Sequence, residues 1–351
     1  MINPFLQEDL EFIAKKLFPF FNFFKNQKIF ITGGTGFFGK WFLETFIYLN
    51  EVFQLNIEIF VLTRNYYKFK EKFERLATYK KFTFIEGDVK NFEFFKGKFL
   101  AVIHMAATSA EETFKGEDEL AKFETVVDGT RRVLEFTRIN QVPYFLFTSS
   151  GAVYGKHNHP VREDYLIAPP CNSIKSVWGT AKRTAEFLVS YYGEKKNIET
   201  RIARCFSFLG PYLPLNIHYA AGNFLKDALK GGPIVVKGTG NDVRSYLYPA
   251  DLIVWLITIL IKGEKNSVYN VGSDQKVTIK ELAELIKKKA KVKEIKLEKR
   301  KIIKGATALS FYVPSIEKAK KELGLKVFTP LEKAIEKTLQ FYKQFYKNGR
   351  D

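Results

Sequence analysis

A chain of 351 residues, 46% apolar and 27% charged, has material for a large buried core and, at this length, for two lobes rather than one. A net charge of +18 fits nucleic acid, an anionic membrane surface or a polyanionic small molecule, and selects none of them. Two cysteines, Cys171 and Cys205, exclude a disulfide scaffold. The start carries Glu8, Asp9 and Glu11 without an apolar leader, and the run Leu252–Ile261 is too short for a bilayer span, so a cytoplasmic protein without membrane insertion is expected.

Residues 1–26 read as a helical extension, with Leu6, Leu10, Ile13 and Leu17 at helical spacing. Lys28–Thr32 is a short buried strand running into glycines. Further strands are expected at Ile57–Leu62, Phe82–Glu86, Ala101–His104, Tyr144–Thr148 and Glu199–Arg204, separated by helical stretches. That alternation predicts a doubly wound parallel α/β sheet over residues 27–205. Beyond the break Gly210-Pro211-Tyr212-Leu213-Pro214, residues 206–351 form a smaller lobe, with segments near 240–275 returning to the first. Capping boxes are expected at Thr278/Glu281 and Thr329/Glu332, with Pro330 opening the second helix. The basic stretch from Lys287 to Lys301 alternates with Val292, Ile295 and Leu297, as at a helix end followed by a solvated edge strand.

The chemistry begins at Thr32-Gly33-Gly34-Thr35-Gly36-Phe37-Phe38-Gly39, which follows a strand and opens an amphipathic run. Gly33 permits the tight turn, Gly36 lets a pyrophosphate approach the backbone, and Gly39 allows close packing of the helix whose N–H groups face the phosphates. Asp88 and Val89 follow the third strand, where Asp88 is placed to accept from an adenine amine. Ala106, Ala107 and Thr108 follow the fourth, small enough for a cofactor to lie close. At the end of the second strand an NAD site usually has Asp or Glu; this chain has Thr63-Arg64-Asn65. Arg64 suits a charge-assisted contact with a 2′-phosphate, which favours NADP, with NAD as the alternative and solvent or adenine stacking as the bland role.

With these motifs the chain resembles the extended short-chain dehydrogenase/reductase family, in particular its nucleotide-sugar epimerases, dehydratases and reductases. The resemblance runs from Lys28 onward and rests on residues 32–39, Ser149-Ser150-Gly151-Ala152-Val153-Tyr154-Gly155 and Arg204-Cys205-Phe206. It is extended by Arg244-Ser245-Tyr246-Leu247-Tyr248, Asn270-Val271-Gly272-Ser273 and Glu322-Leu323-Gly324. It implies a Rossmann domain, a nicotinamide cofactor, a nucleoside-diphosphate sugar and hydride transfer at the sugar C4, as in epimerisation or 4-keto reduction. It also implies a homodimer built on Arg131–Ile139 and Arg183–Tyr192.

In that family a Tyr-x-x-x-Lys pair carries the proton chemistry. The matching segment here is Trp178-Gly179-Thr180-Ala181-Lys182: the lysine is present and the tyrosine is not. Indole N–H is only a donor and cannot serve as an acid/base. Three readings stay open: another group, Ser150 the nearest, moves the proton, directly or through water; the chain is a weak or inactive binder of nucleotide sugar and cofactor; or the register is displaced by a few residues. Resembling dehydratases have an Asp-Glu pair where this chain has Gly151-Ala152, which argues against dehydration. The resemblance makes Ser150 the group that hydrogen-bonds the reacting hydroxyl and Lys182 the anchor of the nicotinamide ribose. It makes Arg244 the clamp on the substrate diphosphate, and Phe206, Ser207 and Asn223 the lining of the sugar-nucleotide site.

His157 and His159 lie two apart in a polar loop without the further ligands a metal needs, so no metal is expected. His104 is expected to be a packed histidine at the cofactor edge, and Cys205 a packed thiol. No aromatic-basic recognition motif for nucleic acid is present.

Overall fold

The computed structural model describes residues 2–108, 112, 116–217, 219–298 and 310–347. Its centre is a parallel sheet of seven strands: β1 Lys28–Thr32, β2 Glu58–Thr63, β3 Phe82–Glu86, β4 Ala101–His104, β5 Tyr144–Ser150, β6 Glu199–Cys205 and β7 Ser267–Val271. Their order is β3-β2-β1-β4-β5-β6-β7, so the winding reverses between β1 and β4 and opens a crevice at the carboxyl ends of those strands. The α/β doubly wound expectation is met, with strand ends moved by one residue at β2 and β6 and by two at β5.

Alternation along β1 feeds both faces of the sheet. Ile29 and Ile31 join Trp41, Phe42 and Phe46 on one side, whereas Phe30 joins Phe136, Phe145 and Phe147 on the other. Part of the phenylalanine load is a single packing solution: Phe30 lies 4.7–6.2 Å from the rings of Phe92, Phe95, Phe99 and Phe136.

Helix Gln7–Leu17 buries Leu10, Ile13, Ala14 and Leu17 against helices Phe37–Phe53 and Pro249–Lys262. Its Asp9 accepts from Tyr248 Oη at 2.6 Å and Lys337 Nζ at 2.7 Å. Burial pushes the Asp9 carboxyl above its usual range, and the Lys337 contact opposes that. The apolar run near Leu252 is a core helix, buried at every position from Pro249 to Leu260. No helix among the described residues is long and apolar enough to cross a membrane.

The second lobe packs helices Ala220–Leu229 and Ile279–Ala290 with two small sheets. Val243–Arg244 is flanked by Val277–Thr278, antiparallel, and Phe311–Tyr312, parallel; Ile234–Lys237 pairs with Ile295–Glu298. Thr278 and Glu281 form the expected capping box. Thr329 also makes a long-range contact: its N–H and hydroxyl donate to Asp251 at 2.9 and 2.7 Å, because that buried carboxylate needs donors. Helix Leu331–Lys347 begins one residue after Pro330. The basic stretch ends its helix at Ala290 and continues as the mostly exposed strand Ile295–Glu298; Lys299, Arg300 and Lys301 lie outside the described residues.

Candidate active site

The glycine turn joins β1 to the helix Phe37–Phe53. Gly33 has φ +73°, and a Cβ there would lie 2.7 Å from the carbonyl carbon of Met105; a Cβ at Gly39 would lie 2.2 Å from Gly34 O. Those two positions are closed to side chains by the fold itself. Gly36 differs, because a Cβ there would meet only Gly33 O, at 3.2 Å. Its lack of a side chain keeps open the approach to a helix start that has no side-chain cap, where Phe37 and Phe38 begin the first turn. Thr35, in the turn, accepts from Lys40 Nζ through its carbonyl at 3.5 Å.

At the end of β4 the chain turns under the cradle. Ala106 N–H donates to Thr32 Oγ1 at 3.2 Å, and Thr108 Oγ1 is buried without a hydrogen-bond partner. A bare cradle, an uncapped helix start and an orphaned hydroxyl on neighbouring strand ends suit a dinucleotide rich in acceptor oxygens. His104 is packed as expected. Thr130 Oγ1 donates to Val126 O at 2.6 Å, so it accepts from His104 Nε2 at 3.0 Å; Nδ1 then accepts from Thr32 Oγ1 at 2.6 Å. Burial lowers this histidine to about 3, keeping it neutral.

Asp88 follows β3 and accepts from Lys90 N at 2.9 Å, and Val89 packs against Gly129. Ala107 packs against the buried cluster on that face. Arg64 is engaged: its two terminal nitrogens fork onto Glu112 at 2.6 and 3.0 Å, and Asp88 and Glu117 add negative charge nearby.

Ser150 ends β5, and its Oγ receives two N–H groups, Ala152 N at 3.2 Å and Trp178 Nε1 at 3.2 Å. Trp178 and Lys182 lie one turn apart on helix Val177–Lys195, with the ammonium 5.4 Å from the indole centroid. Lys182 donates to Thr148 O at 2.8 Å, and burial lowers it to about 8. Beneath them Glu186 takes Ser149 Oγ at 2.5 Å and two guanidinium nitrogens of Arg204 at 3.0 and 2.7 Å. This buried ion pair ties the helix to β5 and β6. Burial raises the Cys205 thiol to about 12, in keeping with a packed role.

Of the residues expected to line a substrate site, Phe206 closes on Gly151, where a Cβ would lie 2.7 Å from its ring. Arg244 donates to Val243 O and Ser310 O at 2.8 and 2.9 Å. Ser207 accepts from Leu247 N through its carbonyl at 3.0 Å, and Asn223 sits in the first turn of Ala220–Leu229. The residue that sequence reasoning missed is Tyr312. Its hydroxyl lies 3.3 Å from Ser150 Oγ, its ring 4.8 Å from Phe206, and its strand is in register with Arg244. The only local signal is a tyrosine two residues before Pro314 in a strand-like run. His157 and His159 gather no further ligands, and no metal-binding group of side chains occurs among the described residues.

The sequence model of the NAD dependent epimerase/dehydratase family matches residues 29–272. UDP-glucuronic acid decarboxylase 6 of Arabidopsis thaliana is 29% identical over 266 residues, covering 76% of this chain and 75% of its own length. UDP-glucuronic acid decarboxylase 1 of Danio rerio is 25% identical over 329 residues, 91% of this chain and 73% of its own. Among solved structures, UDP-glucuronic acid 4-epimerase of Bacillus cereus, with UDP-glucuronic acid and NAD, superposes with a TM-score of 0.76 at 22% identity, over 91% of this chain and 100% of that one. An epimerase of Methanothermobacter thermautotrophicus gives 0.77 at 19% identity, over 96% and 97%. With the glycine cradle and the parallel sheet already in place, the matched 244-residue stretch from 29 to 272 makes this chain a member of the NAD dependent epimerase/dehydratase family of enzymes.

Proposed function

We propose that this chain binds a nicotinamide dinucleotide on the turn from Gly33 to Gly39 and modifies a nucleoside-diphosphate sugar at C4, by epimerisation or 4-keto reduction. The observation that carries the reading is the presence, at the carboxyl ends of β1 and β5 on either side of β4, of an uncapped helix start behind Gly36 and a Ser150 hydroxyl bonded to Trp178, one turn from the buried Lys182. The nicotinamide, when bound, supplies the hydride chemistry. The chain's residues do the rest. The N–H groups of Phe37, Phe38 and Gly39 and the Thr35 and Thr108 hydroxyls hold the dinucleotide, with Ala106 and Ala107 leaving it room. Asp88 and Val89 flank the adenine. Lys182 anchors the nicotinamide ribose, Ser150 polarises the sugar oxygen, Trp178 walls the pocket, and Arg244, Phe206, Ser207 and Asn223 hold the sugar nucleotide.

For the cofactor, sequence alone favours NADP through Arg64. The carboxylates of Glu112, Asp88 and Glu117 around that guanidinium favour NAD, since a 2′-phosphate would enter an acidic surround. A second reading, a binder that has lost turnover, is favoured by one observation: the group donating to Ser150 is an indole, which holds the hydroxyl and exchanges no proton.

The test is an assay of the wild type and Trp178→Tyr against a panel of nucleotide sugars that includes UDP-glucuronic acid and 4-keto sugars, following reduced nicotinamide and product identity. Turnover by the wild type supports the enzyme reading; turnover by the variant alone supports the binder. A homodimer is proposed on helices Glu119–Ile139 and Val177–Lys195, which pack together and expose Leu120, Phe187 and Tyr191. Equilibrium sedimentation giving only monomer would remove it.

A further inference from the structure

The hydrogen-bond pattern at Ser150 has a direction. A serine hydroxyl offers one proton and two lone pairs. Both lone pairs are taken, by Ala152 N–H and Trp178 Nε1–H, each at 3.2 Å. The remaining capacity of Ser150 is to donate, and its neighbour is Tyr312 Oη at 3.3 Å. The phenol proton is then directed at Cys205 O, 3.5 Å away, at the weak limit of a hydrogen bond. At rest Ser150 thus donates to Tyr312, whose own proton is held by little and is free to turn back towards Ser150.

We propose that Tyr312, presented from the second lobe, takes over the proton-relay duty of the tyrosine missing at Trp178, by resupplying Ser150 when Ser150 protonates the sugar oxygen. The proposal rests on the functional reading above and deepens it. When the sugar oxygen takes over the Trp178 N–H, a lone pair of Ser150 Oγ is freed to accept from Tyr312; the Ser150 O–H bond breaks as the sugar O–H bond forms, the Tyr312 O–H bond breaks as that of Ser150 is remade, and the phenolate is reprotonated by water on product release. The sum is one proton moved from solvent to the sugar oxygen; a bound reduced nicotinamide would supply the hydride.

Three features support the relay. Tyr312 is only partly buried as a residue and lies on an outer strand of its small sheet. Its strand neighbour Arg244 carries a positive charge that stabilises the phenolate. Burial otherwise pushes the phenol up to about 12, so it stands protonated and ready to give across the neutral range. The Ala152 N–H on Ser150 and an indole N–H turned to the sugar oxygen both aim donors at the reacting centre, which suits delivery to a carbonyl more than removal from an alcohol. Within the proposed function this favours 4-keto reduction.

The experiment compares wild type, Tyr312→Phe, Ser150→Ala and the double variant Tyr312→Phe/Trp178→Tyr. Tyr312→Phe is expected to lower kcat by ~10²–10⁴-fold, the usual worth of a proton-transfer group, with KM and the calorimetric affinity for UDP within about twofold of wild type. Trp178→Tyr, which puts a phenol back one turn from Lys182, is expected to restore much of that loss, as it would not if Tyr312 only shaped the pocket. In the cofactor-free protein the indole N–H resonance of Trp178, assigned by its loss in Trp178→Phe, is expected to shift in Tyr312→Phe as Ser150 loses its acceptor. An active Tyr312→Phe enzyme, or an indole resonance that does not move, overturns the relay alone. A wild type inert on every sugar nucleotide overturns the functional reading and the relay with it.

Discussion

The glycine cradle and the Tyr312 edge stand at the two sides of the proposed site and are built by opposite means. In the cradle each functional feature is a property of backbone within seven residues: a positive φ at Gly33, a contact at Gly39 that no side chain survives, and open space at Gly36. At the other side Tyr312 and Arg244 come from two-residue strands 68 positions apart, and Tyr312 meets Ser150 from 162 positions away. The first side is rigid because the fold forbids alternatives. The second depends on how the lobes pack, so its contacts join residues far apart in the chain.

The largest expected effect lies between the two sides, at the buried pair Glu186–Arg204, whose side chains are 10% and 12% exposed. Glu186→Gln leaves a buried guanidinium uncompensated and releases Ser149, and is expected to cost roughly 3–5 kcal/mol in a urea melt. If the loss is small, the two sides are less tightly coupled through β5 and β6 than their hydrogen bonds imply.

Next come the glycines, which separate structure from function within the cradle. Gly39→Ala is expected to destabilise by roughly 1–3 kcal/mol and to abolish cofactor binding, since its Cβ would press on Gly34. Gly36→Ala should leave the melting temperature within a few degrees of wild type yet still remove calorimetric binding of NAD. A Gly36→Ala protein that binds normally would break the assignment of that position to a pyrophosphate.

His104 gives a pH signature of the first region. Its native pKa is lowered from 6.5 to about 3 by burial, so between those values the unfolded chain takes a proton that the folded chain refuses. Stability therefore falls as pH drops through 6.5, by up to ~1.4 kcal/mol per unit. Urea midpoints at pH 7.5 and 5.5 should show it, and His104→Gln should flatten that part of the profile. The smallest effect concerns Glu112. Removing its charge in Glu112→Gln frees the exposed Arg64, and the preference for NADP over NAD is expected to rise by up to about fivefold, since exposed pairs are worth ~0–1 kcal/mol. Equal affinities before and after would mean that Arg64 does not read the ribose.

The strands β1 to β6, the cradle and the Thr278 capping box could be read from the chain because each is written in neighbouring residues: alternation, glycine spacing, a cap three residues from its partner. Other features have partners that neighbouring residues do not show. The Thr329 hydroxyl, in a cap pattern, also donates to Asp251, 78 positions away. Arg64 looks like a free cation until Glu112 closes on it from 48 positions downstream.

What the sequence determined by itself is the parallel α/β sheet, the glycine turn that opens the first helix after β1, and the absence of a tyrosine one turn before Lys182, since periodicity and spacing act over a few residues. Tertiary structure alone decided which hydroxyl stands beside Ser150, which charge surrounds Arg64, and which way the protons point. Hydrogen bonds are satisfied across space, and their partners carry no mark in the local sequence.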